Sequence, residues 1–160
     1  MQGKSAGSSA RKRIVDSTRY IPKPIGWTND YKNLFSPDQV LILDSLISAY
    51  ERRTTVEISV ATIDSMMMGP IDFEPYTLLM LRTWGVGKKE TNNGILIVIA
   101  PDLRRVRIQN GYGIEKKLSN EDSQEIIDSV MMPRFRTNDF FNGTKDGIQA
   151  LIGKLQQKDS

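Results

Sequence analysis

With 160 residues the chain is long enough for one domain with a substantial core. It contains no cysteine and no histidine, so thiol catalysis, disulfides, ordinary structural zinc and Ser-His-Asp hydrolysis are excluded together. The metal chemistry left is oxygen ligation of hard cations such as calcium or magnesium.

The net charge of +3 is uneven: Lys4, Arg11, Lys12, Arg13 and Arg19 against Asp16 give residues 1–19 a charge of +4 and leave −1 for residues 20–160. Residues 1–19 read as a flexible basic linker, since MQGKSAGSSARKR at its start is almost entirely small or basic. Residues 20–157 read as a single folded domain. Its near-neutral balance argues against nucleic acid, whose binding domains carry positive charge on the folded surface. No apolar run reaches the length that spans a bilayer.

Residues 20–30, YIPKPIGWTND, carry too much proline and glycine for regular structure and read as an extended arm that packs Ile21, Ile25 and Trp27 on the core. Ser36, Pro37 and Gln39 have capping-box spacing, and Val40, Leu43, Leu46, Ile47 and Tyr50 follow at helical period. Thr54 to Ile63 alternates around Val56, Ile58 and Val60 and predicts a strand. Asp64 to Pro70 is a loop holding three methionines, Met66 to Met68, which either line a binding surface or fill a gap in the core. Asp72 starts a second helix with Phe73, Tyr76, Met80 and Trp84 inward, stopped by Gly85 and Gly87.

After a polar loop ending in Asn93-Gly94, Ile95 to Ala100 is apolar throughout, as in a central strand covered on both faces. Pro101 to Arg104 reads as a hairpin turn, and Arg105 to Gln109 as a strand with Val106 and Ile108 inward and Arg105, Arg107 and Gln109 outward. Gly111-Tyr112-Gly113 breaks that strand, leaving Tyr112 either exposed or packed on the hairpin. A third helix begins at Ser119 or Asn120, buries Ile126, Ile127, Val130 and Met131, and ends at Pro133. The last helix carries Phe141, Ile148, Leu151, Ile152 and Leu155, and close approach to the sheet would compensate for Gly143 and Gly147. This order predicts a small α/β sandwich with a mixed sheet that includes a β-hairpin.

The run WGVGKKETNNGILIVIAPDLRRVRIQNGYGIEKKLS, from Trp84 to Ser119, resembles the core of the TPM domain, a family named after a thylakoid-lumen protein, a photosystem II repair factor and an acetylcholine-receptor accessory protein. Asn29-Asp30, Asp64-Ser65, Met132-Pro133 with Phe135, and Gly143 with Gly147 extend the likeness over roughly residues 27–155. The resemblance implies a Rossmann-like three-layer α/β/α sandwich in the cell envelope, periplasmic or membrane-tethered, serving an unidentified protein partner at or near a membrane. It also implies calcium binding in some members and acid phosphatase activity in one from plants. The hairpin turn of this family often holds two acidic residues; here the second is Leu103, which removes one ligand.

Ligands in open α/β sheets gather beyond the carboxyl ends of the strands. Asp64 follows the first predicted strand, Asp102 follows the central one, Asn29 and Asp30 lie in an arm that could fold over the same edge, and Asn93 sits beside the central strand. Together they are the candidate ligands of a partly hydrated calcium or magnesium site centred on Asp30 and Asp102. Each also has a purely structural reading, as a turn or cap residue. Arg104, Arg105 and Arg107 are candidate phosphate ligands, or simply a solvated strand face. No catalytic residue can be named. The two functional readings are a cation-binding envelope domain that assists a membrane-associated complex, and a metal-dependent acid phosphatase acting on phosphate esters.

Overall fold

The computed structural model describes residues 17–159; the first sixteen residues of the predicted linker lie outside the described residues. The chain runs β1 (Thr28–Asp30), α1 (Pro37–Thr54), β2 (Glu57–Thr62), α2 (Phe73–Trp84) and β3 (Gly94–Ala100). A 3-10 turn (Pro101–Leu103) leads to β4 (Arg105–Asn110) and the single turn α3 (Tyr112–Glu115). Then come α4 (Asn120–Ile126), a π-helical turn (Ile127–Met131), α5 (Met132–Phe135) and α6 (Phe140–Asp159).

β3 is buried at every position, as its unbroken apolar run requires. It pairs in parallel with β2 and antiparallel with β4, and β1 adds in parallel on the outer side of β2. Alternation along β3 divides the core in two. Ile95, Ile97 and Ile99 join Leu43, Ile47 and Tyr50 of α1 and Ile148, Leu151 and Leu155 of α6. Leu96, Val98 and Ala100 meet Phe73, Tyr76 and Met80 of α2 on the other face. The result is the expected three-layer α/β/α sandwich with a mixed sheet and a hairpin.

α1 and α2 follow successive parallel strands of one sheet yet lie on opposite faces. One of the two crossovers is therefore left-handed, which parallel βαβ units rarely are. The chain leaves β1 and β2 in opposite directions, and the divergence leaves a crevice at their carboxyl ends, the position at which open α/β sheets bind ligands.

Local signals predict several boundaries well. Ser36 and Gln39 form the complete capping box of α1, and Gly85 closes α2 in the left-handed conformation. Several expectations change: Ile25 and Trp27, expected to pack on the core, are exposed. Residues 28–30 of the supposed arm are strand β1, held by Asn29, whose amide donates to the Val60 carbonyl at 3.0 Å. The segment after Gly111 coils into α3 instead of only breaking the strand. Pro133 does not end its helix: the π-helical turn before it bonds the Met132 N–H to the Ile127 carbonyl, and the chain continues into α5. Gln109 points inward rather than to solvent and donates to Thr77 of α2 at 2.9 Å, because α2 covers that face of β4.

Gly143 and Gly147 do permit close approach, but to the Met131–Phe135 segment rather than the sheet. A Cβ on Gly143 would run into the Phe135 ring, whereas one on Gly153, in the same helix, would meet nothing within 4 Å among the described residues. Gly143→Ala should lower stability by about 1–2 kcal/mol through overpacking. Gly153→Ala should raise it by about 0.5–1 kcal/mol through helix propensity. Urea denaturation of the two variants checks the opposite signs.

Candidate functional site

The carboxyl ends of the three parallel strands are joined by a chain of polar contacts. Asp30, last residue of β1, accepts from the Thr62 hydroxyl at 2.8 Å and from the backbone N–H groups of Leu34 and Phe35 at 2.9 Å each. It closes the turn into α1, and three donors occupy its two oxygens. Thr62, the last residue of β2, accepts in turn from the Lys32 N–H at 3.0 Å. The Lys32 ammonium reaches Asp64 at 2.6 Å, and Asp64 also accepts from the Met67 N–H at 3.0 Å. Ser65 then links this loop to the turn after β3: its N–H and hydroxyl donate to Asp102 Oδ2 at 3.0 and 2.7 Å.

The Lys32 ammonium holds the Asp64 carboxyl below the usual carboxylate range, with help from the Met67 N–H. The Ser65 hydroxyl does the same for Asp102, against an upward push from desolvation and from the charge of Asp64. Asp64 and Asp102 thus feel one another and stay ionised into mildly acidic solution.

The five predicted oxygen ligands are not all brought together. Asp30, Asp64 and Asp102 share the carboxyl edge. Asn29 is fully buried, on the opposite face of β1 from Asp30, where its amide accepts from Ile25 and Gly26 and donates to Gly26 and Val60. That leaves it a structural role, pinning the arm to β2. Asn93 precedes β3 at the sheet's other end, roughly 20 Å from Asp102 by strand rise. There its amide accepts from the Lys88 N–H at 2.8 Å and donates to Thr55. Among the described residues no group of three or more acidic side chains is close enough to hold a metal ion. What the edge offers a cation is Asp64 and Asp102, the Ser65 hydroxyl, backbone carbonyls and water. Lys32 and Thr62 were missed as site residues; the one sequence signal was a threonine closing an apolar strand.

Of the three candidate arginines, Arg104 and Arg105 line one cavity and Arg107 lines another. Arg104 sits in the left-handed conformation at the turn, on the rim of a cavity of about 600 Å³. Arg136, Met132, Phe135 and Phe140 line the same cavity. Neither Arg104 nor Arg136 has an ion-pair partner among the described residues. Arg105 is engaged, 3.3 Å from Glu74 and over the Phe73 ring. Arg107 lies further along β4, beside a second cavity. The methionines split as well: Met66 is 89% exposed, while Met68 joins the α2-side core.

The molecule is thus a three-layer α/β sandwich whose carboxyl edge carries a small carboxylate–hydroxyl cluster. The TPM domain model matches residues 28–154, and the chain belongs to that family. It is similar in structure to the N-terminal domain of a protein from P. gingivalis, with 33% identity, TM-score 0.73, and coverage of 90% of this chain and 86% of that one. An N-terminal domain from Corynebacterium glutamicum aligns with TM-score 0.60 at 18% identity over 85% of this chain and 81% of that one. The BA42 protein from the psychrophilic Bizionia argentinensis aligns with TM-score 0.67 at 20% identity over 80% and 86%. At those two identities the likeness shows the fold alone. No curated protein matches. No helix among the described residues is long and apolar enough to cross a membrane.

Asn29→Ala should cost about 3 kcal/mol, because it leaves buried backbone groups of the arm and β2 without partners. Asp102→Ala, at an exposed turn, should cost less than about 1 kcal/mol. Chemical denaturation of both variants measures the contrast; equal costs would contradict the division between structural and site residues.

Proposed function

We propose that this TPM domain binds a divalent cation, calcium or magnesium, at the carboxyl edge through Asp64 and Asp102, with Asp30 shaping the crevice beside them. The observation that carries the reading is the Asp64–Ser65–Asp102 cluster: two ionised carboxylates at neighbouring strand ends, with the Ser65 hydroxyl, itself an oxygen ligand, bonded to Asp102. Two carboxylates and water make a weak site, in the range of about 0.1–1 mM typical of extracellular calcium modules. Lys32 competes for Asp64, so cation entry displaces an ammonium. On the family's strength alone, the same reading puts the domain in the cell envelope, assisting a membrane-associated protein complex.

A second reading, a phosphatase acting on phosphate esters, is favoured by one feature: the turn that carries Asp102 also walls the cavity where Arg104 and Arg136 are free to hold an anion. Guanidinium groups match phosphate geometry, and a bound divalent ion would supply an activated water.

Isothermal titration should show saturable calcium binding that weakens about tenfold in Asp102→Asn and tightens in Lys32→Ala. Because both carboxyls are held below their usual range, affinity should stay flat from about pH 8 to 5 and fall only below about pH 4, as protons displace the cation. Absence of saturable heat at millimolar calcium, or identical binding in Asp102→Asn, contradicts the site. Turnover of an aryl phosphate that drops in both Arg136→Ala and Asp102→Asn would favour the phosphatase; turnover indifferent to both comes from elsewhere.

A further inference from the structure

The second cavity, of about 580 Å³, opens at the other end of the sheet, between the end of α2, the loop after it, β4 and α3. Its size is that of a small-molecule site. Backbone packs on backbone around it. A Cβ on Gly87 would strike the Gly94 backbone, and one on Gly113 the Thr91 carbonyl, so the loops before β3 and after β4 are pressed together. Their side chains are left to line the opening.

Those side chains are basic. Arg82, Lys89 and Arg107 all line the cavity and form no ion pair among the described residues. Lys88 is neutralised by Glu57 at 2.6 Å. Among the described residues Glu115 is the one carboxylate in the lining, so three free cations against it leave a net charge of +2. Arg107 adds a second kind of evidence: its Nε is buried and bonded to no acceptor among the described residues. A buried guanidinium donor of this kind is costly unless an acceptor reaches it. At the rim Tyr112 is 68% exposed, an aromatic face with no role in the core.

We propose that this cavity binds a phosphomonoester with a planar ring, of the nucleoside monophosphate class. A phosphomonoester carries close to two negative charges at neutral pH and three strong acceptor oxygens, matching the net charge of the lining and giving partners to the guanidinium of Arg107, which borders the cavity. A carboxylate would leave one cation unmatched. The cavity is several times larger than a phosphate group, which leaves room for an organic body. The Tyr112 ring offers that body a stacking surface, a contact that favours planar rings without reading their identity. The site is distinct from the carboxyl-edge cluster and needs no metal ion.

The test is an NMR titration of nitrogen-15-labelled protein in the presence of a chelator, so that failure of the cation reading cannot affect it. The probes are adenosine monophosphate, ribose 5-phosphate, inorganic phosphate and adenosine. Adenosine monophosphate should give saturable shifts of the Arg107 Nε–H and of the Gly87, Asn92 and Gly111–Gly113 amides. It should bind about tenfold more tightly than ribose 5-phosphate, an advantage that Tyr112→Ala removes. Arg107→Gln should weaken every phosphate probe about tenfold. If Arg107→Gln disturbs the fold, Arg82→Gln at an exposed position should still weaken binding. Linear, unsaturable shifts with all anions, or unchanged binding in a folded Arg107→Gln, overturn the proposal. Silence with phosphates but saturation by an acidic peptide at the same amides also overturns it, in favour of a protein partner.

Discussion

β3 removes seven consecutive residues from water on both faces, and such a strand is stable only where each edge is paired and each face covered. β2 and β4 supply the pairing; α1 with α6 on one side and α2 on the other supply the cover. The middle of the sheet consequently has no room for polar chemistry. Apart from Arg107, which sits opposite Val98, the ionisable groups of both candidate sites lie toward the two ends of β3, where glycines, prolines and asparagines turn the chain. The protein therefore has two chemically different poles, roughly 20 Å apart by strand rise.

The carboxyl pole gathers three restrained carboxylates beside the cations Lys32, Arg104 and Arg136. Asp30 is occupied by the turn into α1, Asp64 by Lys32, and half of Asp102 by Ser65. These contacts fix the positions of the carboxylates and also compete with any cation. A dedicated calcium loop crowds more carboxylates together and binds correspondingly tighter. The cavity toward the amino end of β3 is basic: Lys88 is paired with Glu57, and among the described residues the unpaired cations of the lining outnumber Glu115.

Features encoded within a few residues could be read from the sequence: the capping box of α1, the glycine stop of α2, the unbroken apolar run of β3 and the hairpin after it. Features that depend on distant partners could not. β1 is a strand because Asn29 bonds to Val60, 31 residues away, which no local pattern in a proline-rich arm reveals. Asn29 and Asn93 looked like ligands because their amides carry the right atoms. Their partners on Val60 and Thr55 show that those atoms are already engaged. The arginines of β4 looked like one phosphate set because they are close in sequence. In the fold Arg104 and Arg105, the latter paired with Glu74, line one cavity, and Arg107 lines another. Pro133 was misjudged because a π-helical turn, itself without a sequence signature, absorbs the missing N–H.

The most direct test of the carboxyl-edge assignment is to map backbone amide shifts while calcium is added to the intact chain. The account predicts saturable changes confined to the segments around Lys32, Thr62 to Met67 and Pro101 to Arg104, with Asn93 and its neighbours unmoved. Saturable changes centred on Asn93, or none at the carboxyl edge at millimolar calcium, would contradict it.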